Sequence, residues 1–311
     1  MTEQPEIVPQ TFSPPLPQPS FVVRYSVSPF VFAFVSLLLI FILYQVVGGL
    51  LTLLFVGAKV TSDTVTMHRM FTMGGQFFFL LLPTLILARL LDRESSHVFP
   101  WRMPHVGETI FAVMSLLFLQ ETLQIYLFFQ DRVPLPEQIS KFTEPARQML
   151  EEMFRTLVSA QSVPELLFVI LVVAVTPAIA EELLFRGLIQ SSLGRVLKPW
   201  RAAIWTGVIF GLFHFNPFSI VPLIALGIFF GFLRMRSKSM VIAMLVHFLN
   251  NALAVFVTFL QMDDKMIIGA TKGSDVNIPS ILAQMVLFLM LFVVSFSSYL
   301  QLTKDVQSPS A

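Results

Sequence analysis

Long apolar runs separated by short polar connections recur along almost the whole chain, and they restrict its fold more than any single motif. Eight stand out: Phe30 to Val56, Met70 to Leu90, Ile110 to Phe129, Leu166 to Ile189, Ala202 to Phe215, Ile220 to Leu233, Met240 to Leu260 and Ile281 to Leu302. A helix crosses a bilayer with about 20 apolar residues. In lipid only helices and closed barrels satisfy every backbone N–H and C=O. The pattern therefore predicts an all-α, polytopic integral membrane protein with about eight transmembrane helices. The fifth and sixth runs are short, so they are expected to be buried among neighbours or to sit where the bilayer thins. Composition agrees: 55% of residues are hydrophobic and 13% charged, whereas a soluble chain is about one quarter charged.

The boundaries that follow are a polar, Pro-rich tail over residues 1–25, a membrane domain over 26–303 and a short tail over 304–311. The first residues lack a charged region leading into a short apolar stretch, so no cleaved signal peptide is expected. The chain has no cysteine, which excludes disulfides, thiol catalysis and thiolate metal sites. A net charge of +1 with the basic residues in short loops gives no nucleic-acid footprint.

Basic residues stay on the cytoplasmic side of a membrane. With the N-terminus inside, the cytoplasmic connections hold Arg24, Arg89, Arg93, Arg102, Arg195, Lys198, Arg201, Arg234, Arg236, Lys238 and Lys304. The short opposite loops hold Lys59, Arg69, Lys265 and Lys272. Both termini are thus expected in the cytoplasm. In the long connection before the fourth run, Met149, Leu150, Met153, Phe154, Leu157 and Val158 repeat at helical spacing between charges. That stripe predicts an amphipathic helix in the membrane interface, either packed on the bundle or serving as a gate. Gly207 with Gly211, and Gly227 with Gly231, have the four-residue spacing that lets helix backbones approach.

Ionisable groups inside lipid cost about 2.5–3.5 kcal/mol each on insertion scales, so each calls for a partner or a task. The fourth run contains P-A-I-A-E-E-L-L-F-R-G, placing Glu181, Glu182 and Arg186 beside apolar sequence. Glu182 and Arg186 are spaced for an ion pair along one helical face. Glu181 points about 100° away and lacks that partner. This leaves Glu181 as a general-base candidate and Glu182 as a supporting group; a plain salt bridge at a helix end is the structural alternative. Pro177, four residues before Glu181, removes a backbone hydrogen bond and is expected to open the helix there.

The fifth run ends F-G-L-F-H-F-N-P, with Phe210 one turn before His214. A cap or interface anchor is the simpler reading of such a histidine. In the seventh run, M-L-V-H-F-L-N-N-A puts His247 and Asn251 on one face. Two N–H donors aimed at one point would stabilise a tetrahedral oxyanion, and an interhelical clasp is the alternative. Asn250 falls on another face and is expected to stand apart. Glu121, with Gln120 and Gln124, offers either a second functional cluster or, one to two turns from Asp131, an interfacial helix end, the simpler reading. No G-x-S-x-G elbow, no H-E-x-x-H signature and no aspartate within a span argue for other protease chemistries.

The ordered set E-E-x-x-x-R (Glu181 to Arg186), F-x-x-x-H (Phe210 to His214) and H-x-x-x-N (His247 to Asn251) resembles the three motifs of the CAAX prenyl protease, or Rce1-like (CPBP, ABI), family. The resemblance covers about 166–253. It implies a glutamate-dependent intramembrane endopeptidase in which Glu181 and His214 activate water and His247 and Asn251 form the oxyanion hole. Glu182, Arg186 and Phe210 would support them. It also implies a membrane-associated peptide or protein substrate, of the prenylated CAAX type or another, with membrane lipid as the second partner. No cofactor is expected; in the alternative, Glu181, His214 and His247 would hold zinc. A non-enzymatic transporter or bacteriocin-immunity scaffold using the same polar residues is the other alternative. Short loops and the compact chain suggest a prokaryotic plasma membrane.

Overall fold

A computed structural model describes residues 19–262 and 277–307. Lys265, Lys272, residues 1–18 of the first predicted tail and 308–311 of the last lie outside the described residues. Among the described residues, nine helices longer than ten residues follow one another: α1 Pro29–Phe55, α2 Val65–Leu91, α3 Val106–Gln130, α4 Glu137–Val158, α5 Val163–Gly194, α6 Pro199–Phe213, α7 Ile220–Ser237, α8 Met240–Phe259 and α9 Ile278–Leu302. Seven of them, all but α4 and α6, are long and apolar enough to cross a membrane. The protein is an all-α integral membrane protein.

The fifth predicted run is the one that falls short. α6 has 15 residues, about 22 Å at 1.5 Å per residue, against a hydrocarbon core of about 30 Å. Its C-terminal end therefore cannot reach the opposite interface, and the carbonyls there need partners from neighbouring helices. They find them. Gln45 Nε2 of α1 donates to the Phe213 carbonyl at 3.1 Å, and His214 Nδ1 donates to the Phe210 carbonyl at 2.7 Å. Beyond the helix end, Phe215 takes a left-handed backbone (φ 50°), Asn216 Oδ1 accepts from the Phe218 amide at 3.1 Å, and Gln130 Nε2 of α3 donates to the Phe218 carbonyl at 2.8 Å. The sixth run is longer than expected, extending to Ser237, and passes as a span unaided.

α6 and α7 form a hairpin in backbone contact, as the glycine spacing requires. A methyl group added to Gly207 would lie 2.3 Å from the Ile228 amide nitrogen, and one on Gly227 would lie 2.6 Å from the Gly207 carbonyl oxygen. The missing side chains also leave the Gly227 and Gly231 carbonyls open to α5: Arg186 Nη2 donates to the first at 2.8 Å and Gln190 Nε2 to the second at 3.0 Å.

The basic connections meet at one end of the bundle. Arg195 Nη2 donates to Asp92 Oδ2 at 2.7 Å, Arg102 Nε to the Ser237 carbonyl at 2.7 Å and Arg236 Nη2 to the Leu300 carbonyl at 2.6 Å. At the other end, buried Arg69 of α2 donates to Glu165 Oε1 at 2.7 Å and to the Leu157 carbonyl at 3.0 Å, tying the start of α5 to the end of α4. The amphipathic stripe of α4 divides. Leu150, Met153, Leu157 and Val158 are partly or fully covered by protein, whereas Met149 and Phe154, with Ile139 and Phe142, stay exposed. Apart from its clamped C-terminal turn, α4 thus leaves apolar surface uncovered, the disposition of a helix that also faces lipid.

Candidate active site

α5 is not a uniform helix. Wide π-type segments at Leu171–Val175 and Leu183–Ile189 bracket the seven-residue α-helical stretch Thr176–Glu182. Such bulges recur at functional sites because they re-aim side chains without ending the helix. Here they turn the Glu181–Glu182 pair toward α6 and α8. Pro177 has no N–H for the carbonyl four residues earlier, that of Val173. Asn251 Nδ2 of α8 donates to this carbonyl at 3.0 Å.

Glu182 and Arg186 are fully buried, and their ion pair closes at 2.9 Å. Glu182 Oε1 also accepts from His247 Nδ1 at 2.8 Å. The Arg186 guanidinium lies over the Phe210 ring at 4.6 Å and the Phe230 ring at 5.3 Å. Phe230 in turn stacks on the His247 imidazole, with centroids 5.1 Å apart. Each charged or imidazole group in this layer is held from more than one side, which fixes its direction.

Glu181 is held differently. Its Oε2 is buried and accepts no hydrogen bond from the described protein groups. It lies 3.8 Å from His214 Nε2 and 4.0 Å from His247 Nε2, too far for direct hydrogen bonds. The Glu181 and His214 side chains keep 12% and 29% of their surface accessible, whereas Glu182 and Arg186 keep none. Of the two glutamates, Glu181 is the one a reactant can reach. Tautomers follow from the partners. A carbonyl only accepts, so the neutral His214 ring carries its hydrogen on Nδ1 and turns a lone pair at Nε2 toward Glu181.

The structure thus brings Glu181, Glu182, Arg186, Phe210, His214 and His247 into one cluster. Asn251 stands one helical turn beyond His247 and is joined to α5 through Val173. Two expectations need correction. Asn250 does not stand apart: its Nδ2 donates to Asn251 Oδ1 at 2.9 Å. Gln120 does more than mark a helix end, because its Nε2 donates to Asn250 Oδ1.

Reading the sequence also missed a contribution from α1 and α2. Both carry π segments, Ile42–Gly48 and Gln76–Leu81. Tyr44 and Gln76 of these segments pair with each other, and Tyr44 lies within electrostatic reach of Glu181. The ring of Tyr44 stacks on Phe213 at 6.4 Å. A polar residue in the middle of an apolar span was the signal available, and Gln45 and Gln76 both meet it.

Comparison with protein families returns a match over residues 163–253 to the family described as type II CAAX prenyl endopeptidase Rce1-like. No curated protein and no solved structure gave a significant match. The matched segment runs from the start of α5 to the middle of α8 and contains all three motifs with the clustered side chains. It supports a peptidase of the CAAX type in general, acting on a peptide or protein from within the membrane. Over residues 163–253, the chain is similar to the Rce1-like family of type II CAAX prenyl endopeptidases.

Proposed function

We propose that this protein is a glutamate-type intramembrane endopeptidase that hydrolyses a peptide bond of a membrane-associated substrate. The observation that carries the reading is the buried, unpartnered Glu181 Oε2 facing two imidazole Nε2 atoms at 3.8 and 4.0 Å. A single water can touch Glu181 Oε2 and His214 Nε2 at that separation, with both groups accepting from it. Glu181 takes one proton as the water oxygen attacks the scissile carbonyl. The proton then passes to the leaving amine, with His214 orienting the water and sharing the transfer.

The developing oxyanion needs donors. Asn251 has one amide N–H left after its bond to Val173, and His247 donates from Nε2 as imidazolium, since its Nδ1–H is engaged by Glu182. In that state Glu181, Glu182, Arg186 and His247 sum to zero formal charge, which suits a low-dielectric site. Phe210 and Arg186 act through the groups they hold. The basic end of the bundle is placed in the cytoplasm, following the excess of Lys and Arg there.

Zinc is the second reading. Four ligands at about 2.0–2.1 Å in a tetrahedron lie about 3.4 Å apart, closer than the 3.8 and 4.0 Å found around Glu181 Oε2. No group of three His, Asp or Glu side chains among the described residues is arranged to hold a metal ion. These spacings favour direct use of the carboxylate.

The test is cleavage of a fluorogenic library of farnesylated and unfarnesylated peptides by purified protein in lipid nanodiscs, beside its His214→Ala variant, with and without chelator. The reading predicts cleavage that His214→Ala abolishes and chelator leaves alone, and the preferred sequences identify the substrate class. Inhibition by chelator that added zinc reverses would replace it with the metal reading. Absence of any cleavage across the library would count against peptidase activity toward such peptides and favour a non-enzymatic role.

A further inference from the structure

Three side-chain amides form a one-way chain into the candidate site. Gln120 Nε2 of α3 donates to Asn250 Oδ1, Asn250 Nδ2 donates to Asn251 Oδ1 at 2.9 Å, and Asn251 Nδ2 donates to the Val173 carbonyl at 3.0 Å. Every link runs N–H to oxygen in the same sense. The last acceptor is the carbonyl that Pro177 cannot serve.

We propose that Gln120 and Asn250 are positioning residues that set the Asn251 amide for the oxyanion, a role that rests on the reading of Asn251 given above. An asparagine amide has two donors and one accepting oxygen, and a half-turn about its last bond exchanges them. Turned the wrong way, Asn251 would present its oxygen to a developing negative charge. Asn250 prevents this by engaging Asn251 Oδ1, and Gln120 fixes Asn250 in turn by engaging its oxygen. The aligned amides also polarise one another, so the free N–H of Asn251 becomes a better donor than an isolated amide. Gln120 lies outside residues 163–253. The third span thus contributes to the site a group that the motifs do not contain.

The experiment compares full-length wild type, Gln120→Met, Asn251→Ala and the double variant in nanodiscs, using a farnesylated fluorogenic peptide. Methionine keeps the length of glutamine and removes the donor. Gln120→Met should lower kcat roughly tenfold with KM within about twofold, a part of the 10²–10³ that losing an oxyanion donor outright costs. In the Asn251→Ala background the same change should have no further effect, because Gln120 acts through Asn251. An unchanged kcat, or an equal loss in both backgrounds, would overturn the positioning role. Full activity of Asn251→Ala would instead overturn the oxyanion reading itself.

A second measurement needs no substrate. The chain has four asparagines, so selective 15N labelling gives few side-chain amide signals, and those of Asn251 are assigned by their loss in Asn251→Ala. They should move in Gln120→Met and stay in place in Gln124→Met. Signals that stay in place in both would contradict the chain.

Discussion

Adjacent glutamates on one helix turn meet different surroundings because successive residues are rotated by about 100°. Glu182 faces Arg186 and His247 in a fully covered layer, while Glu181 faces two imidazoles it does not touch. Their substitutions should therefore fail in different ways. Glu182→Gln leaves a buried guanidinium without its counter-charge, and breaking such a pair typically costs about 3–5 kcal/mol. A large fall in the unfolding midpoint measured in detergent is expected, with activity lost as a consequence. Glu181→Gln removes no protein partner, so the fold should stand. The Glu182–Arg186 bond was legible from four-residue spacing alone. The bond between His247 and Glu182 joins residues 65 apart in sequence, and no local pattern announces it.

The elements that carry these residues depart from regular geometry where the site needs it. Alternating π and α segments in α5 leave no composition signal, so the sequence predicted an opening at Pro177 without the wide turns on either side. Pro177→Ala returns an N–H to the Val173 carbonyl and makes it compete with Asn251. Thermal stability should hold or rise, since a proline inside a helix is costly, while turnover should fall by roughly tenfold as one oxyanion donor loses its anchor. Thermal unfolding and kcat measured on one preparation check both halves. The hairpin of α6 and α7 shows the reverse case, for the glycine spacing was plain and the contact followed. Gly207→Ala puts a methyl group against the Ile228 backbone. Overpacking of this kind costs about 1–3 kcal/mol, and a lower unfolding midpoint is expected. His214 at the hairpin tip should be displaced as well, so activity should fall more than stability does.

Across the whole molecule, hydropathy located the long apolar helices among the described residues, helical periodicity located α4, and loop charge grouped the connections that meet at one end. What it did not disclose is how far the first three helices enter the site. Gln45 completes the end of α6, Tyr44, paired with Gln76, comes within electrostatic reach of Glu181, and Gln120 reaches Asn250. These contacts join residues far apart in the chain, so they exist only once the bundle has assembled. Orientation is directly testable, because a chain without cysteine has no labelling background. Lys198→Cys, at the basic end, should react with a membrane-impermeant maleimide only when the cytoplasmic face is open to it. Asp63→Cys, in the loop between α1 and α2, should react only from the other side, and the opposite pattern would invert the topology.

The central claim, that Glu181 is the base, is tested most directly by the single-turnover cleavage rate of Glu181→Gln beside wild type in the same nanodiscs, with unfolding midpoints measured on both preparations. A loss of three or more orders of magnitude with midpoints within a few degrees is the predicted result, whereas a rate within about threefold of wild type would contradict it.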